Sequence, residues 1–152
     1  MLIDSNLLIL LFVGEFMPEQ IPKFKRTKQF VENDYHLIRA FFNTFTLRVT
    51  TPNILTGISN LAGYFAPGLK ERFFRSLQTS FELLNEQYLP SQTGASSPIF
   101  PRIGLTDSII GQVAAQRYLV ATDDLALANY LGSIEADVIN FNHLRTSLFA
   151  AD

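Results

Sequence analysis

The residues with the most chemical content are four aspartates in three short segments. They are Leu2-Ile3-Asp4-Ser5-Asn6, Leu105-Thr106-Asp107-Ser108 and Thr122-Asp123-Asp124-Leu125. Taken singly, each aspartate has an ordinary explanation, because Asp is a preferred helix N-cap and its charge is favourable near a helix N-terminus. The set is harder to explain in that way. Ser5, Asn6, Thr106 and Thr122 stand beside the acids and could cap without charge. Three or four carboxylates converging on one edge repel one another unless a cation neutralises them. The expected cation is Mg2+ or Mn2+, since these ions prefer carboxylate and water oxygens.

Such convergence requires a fold that brings distant segments to one edge, and the apolar pattern supplies it. Met1 to Ile3 is a short apolar run followed by a breaker-free stretch from Asn6 to Phe12 before Gly14, which suits a strand and then a helix. Glu15 to Lys28, with Pro18 and Pro22, reads as loop. From Asn33 to Phe45 the residues Leu37, Ile38, Phe41, Phe42 and Phe45 recur at helical steps. Leu47 to Thr50 is a strand candidate, and Thr51-Pro52 a helix start. The longest helical pattern runs from Gly68 to Leu89 and stops at Pro90, and Ser91 to Pro98 reads as a loop able to cover a site. A short extended segment is expected within Ile99 to Ile103, then a helix over Thr106 to Gln116 and a strand over Tyr118 to Ala121. Helix over Asp124 to Leu131, strand over Asp137 to Ile139 and helix over Asn142 to Phe149 complete the chain. Alternation of this kind implies an α/β fold with a parallel sheet flanked by helices, in which ligands gather beyond the carboxyl ends of the strands.

Composition narrows the chemistry. The 152 residues suit one domain, and 47% hydrophobic content with 14 Phe describes a core-forming chain. Zero Cys excludes disulfides, thiolate zinc sites and cysteine nucleophiles. A net charge of -2 offers no global field for nucleic acid, so any such contact is local. No phosphate-loop or dinucleotide glycine pattern is present. His36 and His143 stand without a nucleophile setting and read as surface or structural residues. The apolar run from Leu7 to Val13 is far short of the roughly 20 residues that cross a bilayer, which predicts a soluble, cytoplasmic protein without membrane contact.

The residues also resemble a family. Met1-Leu2-Ile3-Asp4-Ser5-Asn6, Thr50-Thr51-Pro52-Asn53-Ile54-Leu55-Thr56-Gly57-Ile58-Ser59-Asn60-Leu61, Gly104-Leu105-Thr106-Asp107-Ser108 and Val120-Ala121-Thr122-Asp123-Asp124 are similar, in order and spacing, to the motifs of the PIN domain. The resemblance runs nearly end to end. It implies a three-layer α/β/α fold with a central, mostly parallel sheet and a Mg2+- or Mn2+-dependent endoribonuclease, often the VapC-type toxin of a toxin–antitoxin pair. Carried over by position, Asp4, Asp107 and Asp124 become catalytic metal ligands, with Asp123 a close rival to Asp124 and with Asn6 and Thr122 as supporting residues. The departure is Gly57, which stands where the family usually has a Glu. A Gly within a helix costs roughly 1 kcal/mol relative to Ala, so helix stability is not its reason. Impaired activity, a replacement acid or an inactivating change selected against toxicity would each account for it. Asp34, Glu71, Glu82 and Glu86 show no spacing that directs them to the site.

Lys23-Phe24-Lys25-Arg26-Thr27-Lys28 places four of the 12 cations in six residues. Lys23, Lys25, Arg26 and Lys28 would contact nucleic-acid phosphates, with Phe24 free to stack on a base; the alternative is a solvated loop. Adjacent pairs such as Phe41-Phe42 and Phe73-Phe74 point about 100° apart on a helix, so one of each is expected at a rim. An exposed aromatic patch there would suit a homodimer or an inserted helix, which the resemblance identifies as an antitoxin. Three readings follow: a metal-dependent ribonuclease, an inactive PIN scaffold that binds RNA or a protein partner, and an unrelated α/β domain whose aspartates only cap helices.

Overall fold

The computed structural model describes residues 1–149. The chain opens with β1 (Leu2–Ile3), α1 (Ser5–Phe16) and a 3-10 turn over Pro18–Gln20. It continues through α2 (Glu32–Asn43), β2 (Val49–Thr50), α3 (Pro52–Ala62), α4 (Pro67–Glu82) and β3 (Asn85–Glu86). Then come α5 (Ser91–Ala95), α6 (Phe100–Ala114), β4 (Val120–Thr122), α7 (Leu125–Ser133), β5 (Val138–Asn140) and α8 (Phe141–Phe149). The strands form one sheet in the order β3-β2-β1-β4-β5, and every pairing is parallel. The result is the three-layer α/β/α architecture expected from the sequence.

The sheet is small and β1 is its centre. Leu2 is in register with Val49 on one side and with Val120 on the other. From β1 the chain builds outward to β2 and β3, then returns to place β4 and β5 on the opposite flank. That reversal opens a crevice beyond the carboxyl ends of β1 and β4, the usual ligand position in such sheets. Helix α1 leaves β1 directly and is buried continuously from Leu7 to Gly14. It packs on α2, α3, α4 and β4, which accounts for a helix apolar on all sides. At its far end Phe16 meets Phe65 and Phe73, with ring centroids 6.3 and 5.3 Å away.

Several expectations change on contact with tertiary structure. The segment after α1 is not an open loop. Ile21, Phe24, Thr27 and Phe30 are buried at three-residue intervals along a run of tight turns, and the Thr27 hydroxyl donates to the Ile21 carbonyl at 2.7 Å. The long helical pattern ends at Glu82, and Asn85–Glu86 form an edge strand beside β2. Both residues are exposed, so no apolar alternation marks this strand. Ser91–Ala95 is a short helix, not a loop cover. Ile99 to Ile103 is not extended but enters α6, whose path breaks at Gly104 with φ 77° and resumes toward Asp107. The aromatic pairs divide as expected, with Phe42 and Phe73 buried and Phe41 and Phe74 at the rim. Among the described residues they form no exposed aromatic patch, and the exposed Phe or Tyr side chains are Tyr64 and Tyr88. His36 lies at the surface beside Glu32, and His143 is exposed. No helix among the described residues is long and apolar enough to cross a membrane.

Two glycines separate close packing from open space. A Cβ on Gly14 would overlap the Tyr35 ring, so α1 and α2 can approach only because that side chain is absent. A Cβ on Gly57 would meet nothing within 4 Å. Gly14→Ala is therefore expected to lower unfolding free energy by about 1–3 kcal/mol, and Gly57→Ala to raise it by about 0.5–1 kcal/mol. Urea denaturation of the two variants measures both signs.

Candidate metal centre

Asp4 stands at the end of β1, with its amide donating to the Ala121 carbonyl of β4 at 3.0 Å. It is only 4% exposed. One carboxylate oxygen accepts from the Leu7 amide at 2.9 Å and so caps α1; the other accepts from the Thr122 hydroxyl. The same hydroxyl oxygen accepts from the Asp124 amide at 2.9 Å. Thr122 thereby fixes both the Asp4 carboxylate and the turn that carries Asp123 and Asp124.

The two neighbouring aspartates divide the work. Asp124 is the N-cap of α7: its Oδ1 accepts from the amides of Ala126 and Leu127 at 2.7 and 3.0 Å, and the residue is exposed. Asp123 is half-buried and its Oδ1 is fully enclosed without a hydrogen-bond donor. Capping thus explains one oxygen of Asp124 and leaves Asp123 without a structural reason. Asn6, the second residue of α1, holds the Asp123 carboxyl down against the effect of burial. Asp107 reaches the cluster from inside α6, three residues after the Gly104 break, and not from a strand-to-helix junction. A glycine with positive φ lets the helix restart there, a geometry that the sequence pattern did not reveal.

Electrostatics shows which acids act on one another. The Asp4 carboxyl is pushed up to about 7, first by burial, then by the Asp123 charge, with a smaller push from Asp107; Thr122 and the Leu7 amide pull it down. Asp107 is raised to about 6 by burial and by Asp124. Asp123 is raised chiefly by burial, against the lowering effect of Asn6. Asp123 and, more weakly, Asp107 act on Asp4, and Asp124 acts on both Asp107 and Asp123, so the four acids lie within electrostatic reach of one another. Among the described residues no three carboxylate or imidazole groups close on one cation position. Mg2+ does not require such a cage, because it keeps several waters and is commonly held by one or two carboxylates plus substrate oxygens. An all-oxygen donor set, an enclosed carboxylate oxygen lacking a donor and mutual repulsion together fit a hard divalent cation.

No protein-family model, curated protein or solved structure matches the chain. The assignment of residues rests on geometry.

Two participants escaped the sequence. The Asn142 side chain of α8 donates to the Asp123 carbonyl at 2.9 Å, and Arg145 lowers the Asp123 carboxyl through its charge. Arg145 also pairs at 2.8 Å with Asp34, which is fully buried. Asp34 is thus committed to α8 and to the Val31 amide, and is no replacement acid. Of the other carboxylates considered, Glu71 pairs with Arg75 on α4, and Glu86 lies exposed on β3. No sequence signal joins Asn142 to Asp123, since the contact crosses the β5 connection.

Gly57 lines an open groove of about 340 Å3 with Asn53, Asn60, Tyr88 and Thr106, the last adjacent to Asp107. A longer side chain at position 57 has room to enter it. The basic run is not part of the carboxylate cluster. Lys23, Lys25, Arg26 and Lys28 are exposed, but Phe24 is buried and stacked on Phe65 at 4.4 Å, so it cannot stack on a base. The three-residue burial rhythm turns Phe24 inward and its cationic neighbours outward.

A raised carboxyl pKa has a defined stability signature. Asp4 and Asp107 bind protons more tightly in the folded chain than at their ordinary 3.8, so their stabilising contribution is complete below about pH 4 and is lost as pH rises through about 6 to 7. In chelator, the stability of Asp107→Asn relative to the unsubstituted chain should improve as pH rises from about 5 to about 8. Mn2+ should raise the thermal midpoint of the unsubstituted chain more at the higher pH. Parallel pH profiles would remove the electrostatic account of the cluster.

Proposed function

We propose that the chain is a PIN-type, Mg2+- or Mn2+-dependent endoribonuclease of the cytoplasm. The observation that carries this reading is the meeting of Asp4, Asp107, Asp123 and Asp124 beyond the carboxyl ends of β1 and β4, with the Asp123 Oδ1 enclosed and undonated. Capping accounts for only part of that oxygen inventory. The same motifs carry the PIN resemblance, which supports RNA as substrate and a toxin's place beside an antitoxin, with a homodimer as the working form.

One or two of Asp4, Asp107, Asp123 and Asp124 would hold the cation, with water and substrate oxygens completing its shell. Such a cation polarises a phosphodiester oxygen and lowers the pKa of coordinated water. The chain's own contribution is to hold the acids in place beforehand. The Leu7 amide and the Thr122 hydroxyl each hold one oxygen of Asp4 and so fix its orientation. Asn6 and Asn142 brace Asp123, through its side chain and its carbonyl respectively. The α7 cap holds Asp124 by one oxygen and leaves the other unused.

Gly57 favours a second reading, an inactive scaffold of the same fold that binds RNA or a protein. The groove beside Thr106 has space for a missing acid and holds no carboxylate of its own. Cleavage of a mixed RNA in Mn2+, with chelator as blank, separates the two. The chain and Gly57→Glu should both cut, Gly57→Glu faster, and Asp107→Asn should lose at least about 100-fold, the upper range for disturbing a metal site. Cleavage by Gly57→Glu alone would establish a nuclease scaffold disabled at one ligand. Absence of cleavage by either, in either metal, would overturn the ribonuclease reading and favour the scaffold.

A further inference from the structure

The far end of α1 carries a surface that the carboxylate cluster does not use. Phe24 and Phe65 stack at 4.4 Å and line a recess of about 380 Å3. Lys23, Lys25 and Tyr64 line it as well. Tyr64 is 72% exposed, and no carboxylate lines the recess. Beyond Phe65 lies a second hollow bordered by Lys70 and Phe74, whose one acid, Glu71, is paired with Arg75 at 2.7 Å. In a chain of net charge -2, this is a local concentration of cations around an exposed aromatic ring.

Its position is fixed by the core. Phe16, the last residue of α1, touches Phe65, so the recess lies about one helix length from Asp4, which is ~18 Å for 12 residues. The chain between the two regions is the basic run itself. It starts beside the recess at Lys23 and ends near Phe30, whose ring meets Phe141, the residue before the Asn142 that braces Asp123. Arg26 and Lys28 are exposed along that path.

We infer that this recess is a binding subsite for single-stranded nucleic acid, with Lys23 and Lys25 on phosphates and Tyr64 stacked on a base. Alternating cationic and aromatic contacts are the common means of holding a strand without reading its sequence. A base has a π-face for the exposed phenol, whereas an acidic peptide would occupy the lysines and leave Tyr64 unused. The choice of nucleic acid over other polyanions rests on the ribonuclease reading. The exposed path past Arg26 and Lys28 would lead the strand toward the carboxylates.

Binding of a fluorescent oligouridine, followed by anisotropy in chelator so that no cleavage occurs, tests the subsite apart from the chemistry. Tyr64→Ala should weaken binding by at least about 5-fold, the low end for losing one base–aromatic stack, and Tyr64→Phe should restore it. Lys23→Ala with Lys25→Ala should reduce the slope of log affinity against log salt by about 1.4, two phosphate contacts at about 0.7 each. These side chains are exposed, so unchanged thermal midpoints are expected. Binding unaffected by the three substitutions would overturn the subsite, as would no binding by the unsubstituted chain. Equal competition by polyglutamate would replace it with a surface for acidic peptides. If the substitutions weaken binding while no metal supports cleavage, the ribonuclease reading fails and the subsite stands; cleavage with unaltered binding has the opposite meaning.

Discussion

A carboxylate enclosed at the centre of the sheet's edge is the constraint on which the rest of the structure depends. Asp4 is nearly inaccessible, yet it faces other acids. A buried charge is tolerable only with hydrogen-bond donors or an opposing ion, and removal of those partners leaves the full desolvation penalty. Two donors are built into the fold, one from the first turn of α1 and one from Thr122 at the end of β4. The first is a local cap three residues along the chain, whereas the second depends on the parallel pairing of β1 with β4, which holds Ile3 level with Ala121. Fold and site are therefore one problem, because the strand register that closes the core also supplies the acid's second partner.

The two faces of α1 serve this arrangement differently. Its first turn points unpaired amides at Asp4 and stabilises the negative charge. Its body is uniformly apolar and takes neighbours on every side, so its direction from the sheet is fixed. Gly14 removes the one side chain that would hold α2 away. At the far end, Phe16, Phe24, Phe65 and Phe73 form a cluster that anchors the turns after α1. Burying Phe24 there presents its lysine neighbours to solvent, so the basic surface is a by-product of core packing.

The α8 helix closes the other side of the acid cluster. Arg145 pairs with the fully buried Asp34, and its charge also lowers the carboxyl of the half-buried Asp123. Breaking a buried ion pair of this kind leaves an uncompensated charge, so α8 is tied to α2 more firmly than its short length suggests. Gly57 stands on the third side, where α3 faces open space. The site is thus braced from α1, β4, α7 and α8 and left wide along the α3 groove.

The sequence by itself determined the alternation of strands and helices, the α/β class, the helix starts at Asp4 and Thr51-Pro52, and the four aspartates as the unusual set. Those features are local: apolar period, capping chemistry and charge spacing act over a few residues. Only tertiary structure decided which acids come within reach of one another and which oxygens are taken up by capping. Asp123 and Asp124 are adjacent in sequence and equal in type, yet one caps α7 and the other points an undonated oxygen inward. Neither could be distinguished by spacing. The β3 strand escaped because an exposed edge needs only backbone pairing, and the Gly104 break escaped because a positive φ leaves no apolar signature. Asn142 and Arg145 were invisible for the same reason that Phe24 was misjudged. Their environments are made by residues far away in the chain, and long-range packing, not local pattern, sets which side of each residue meets solvent.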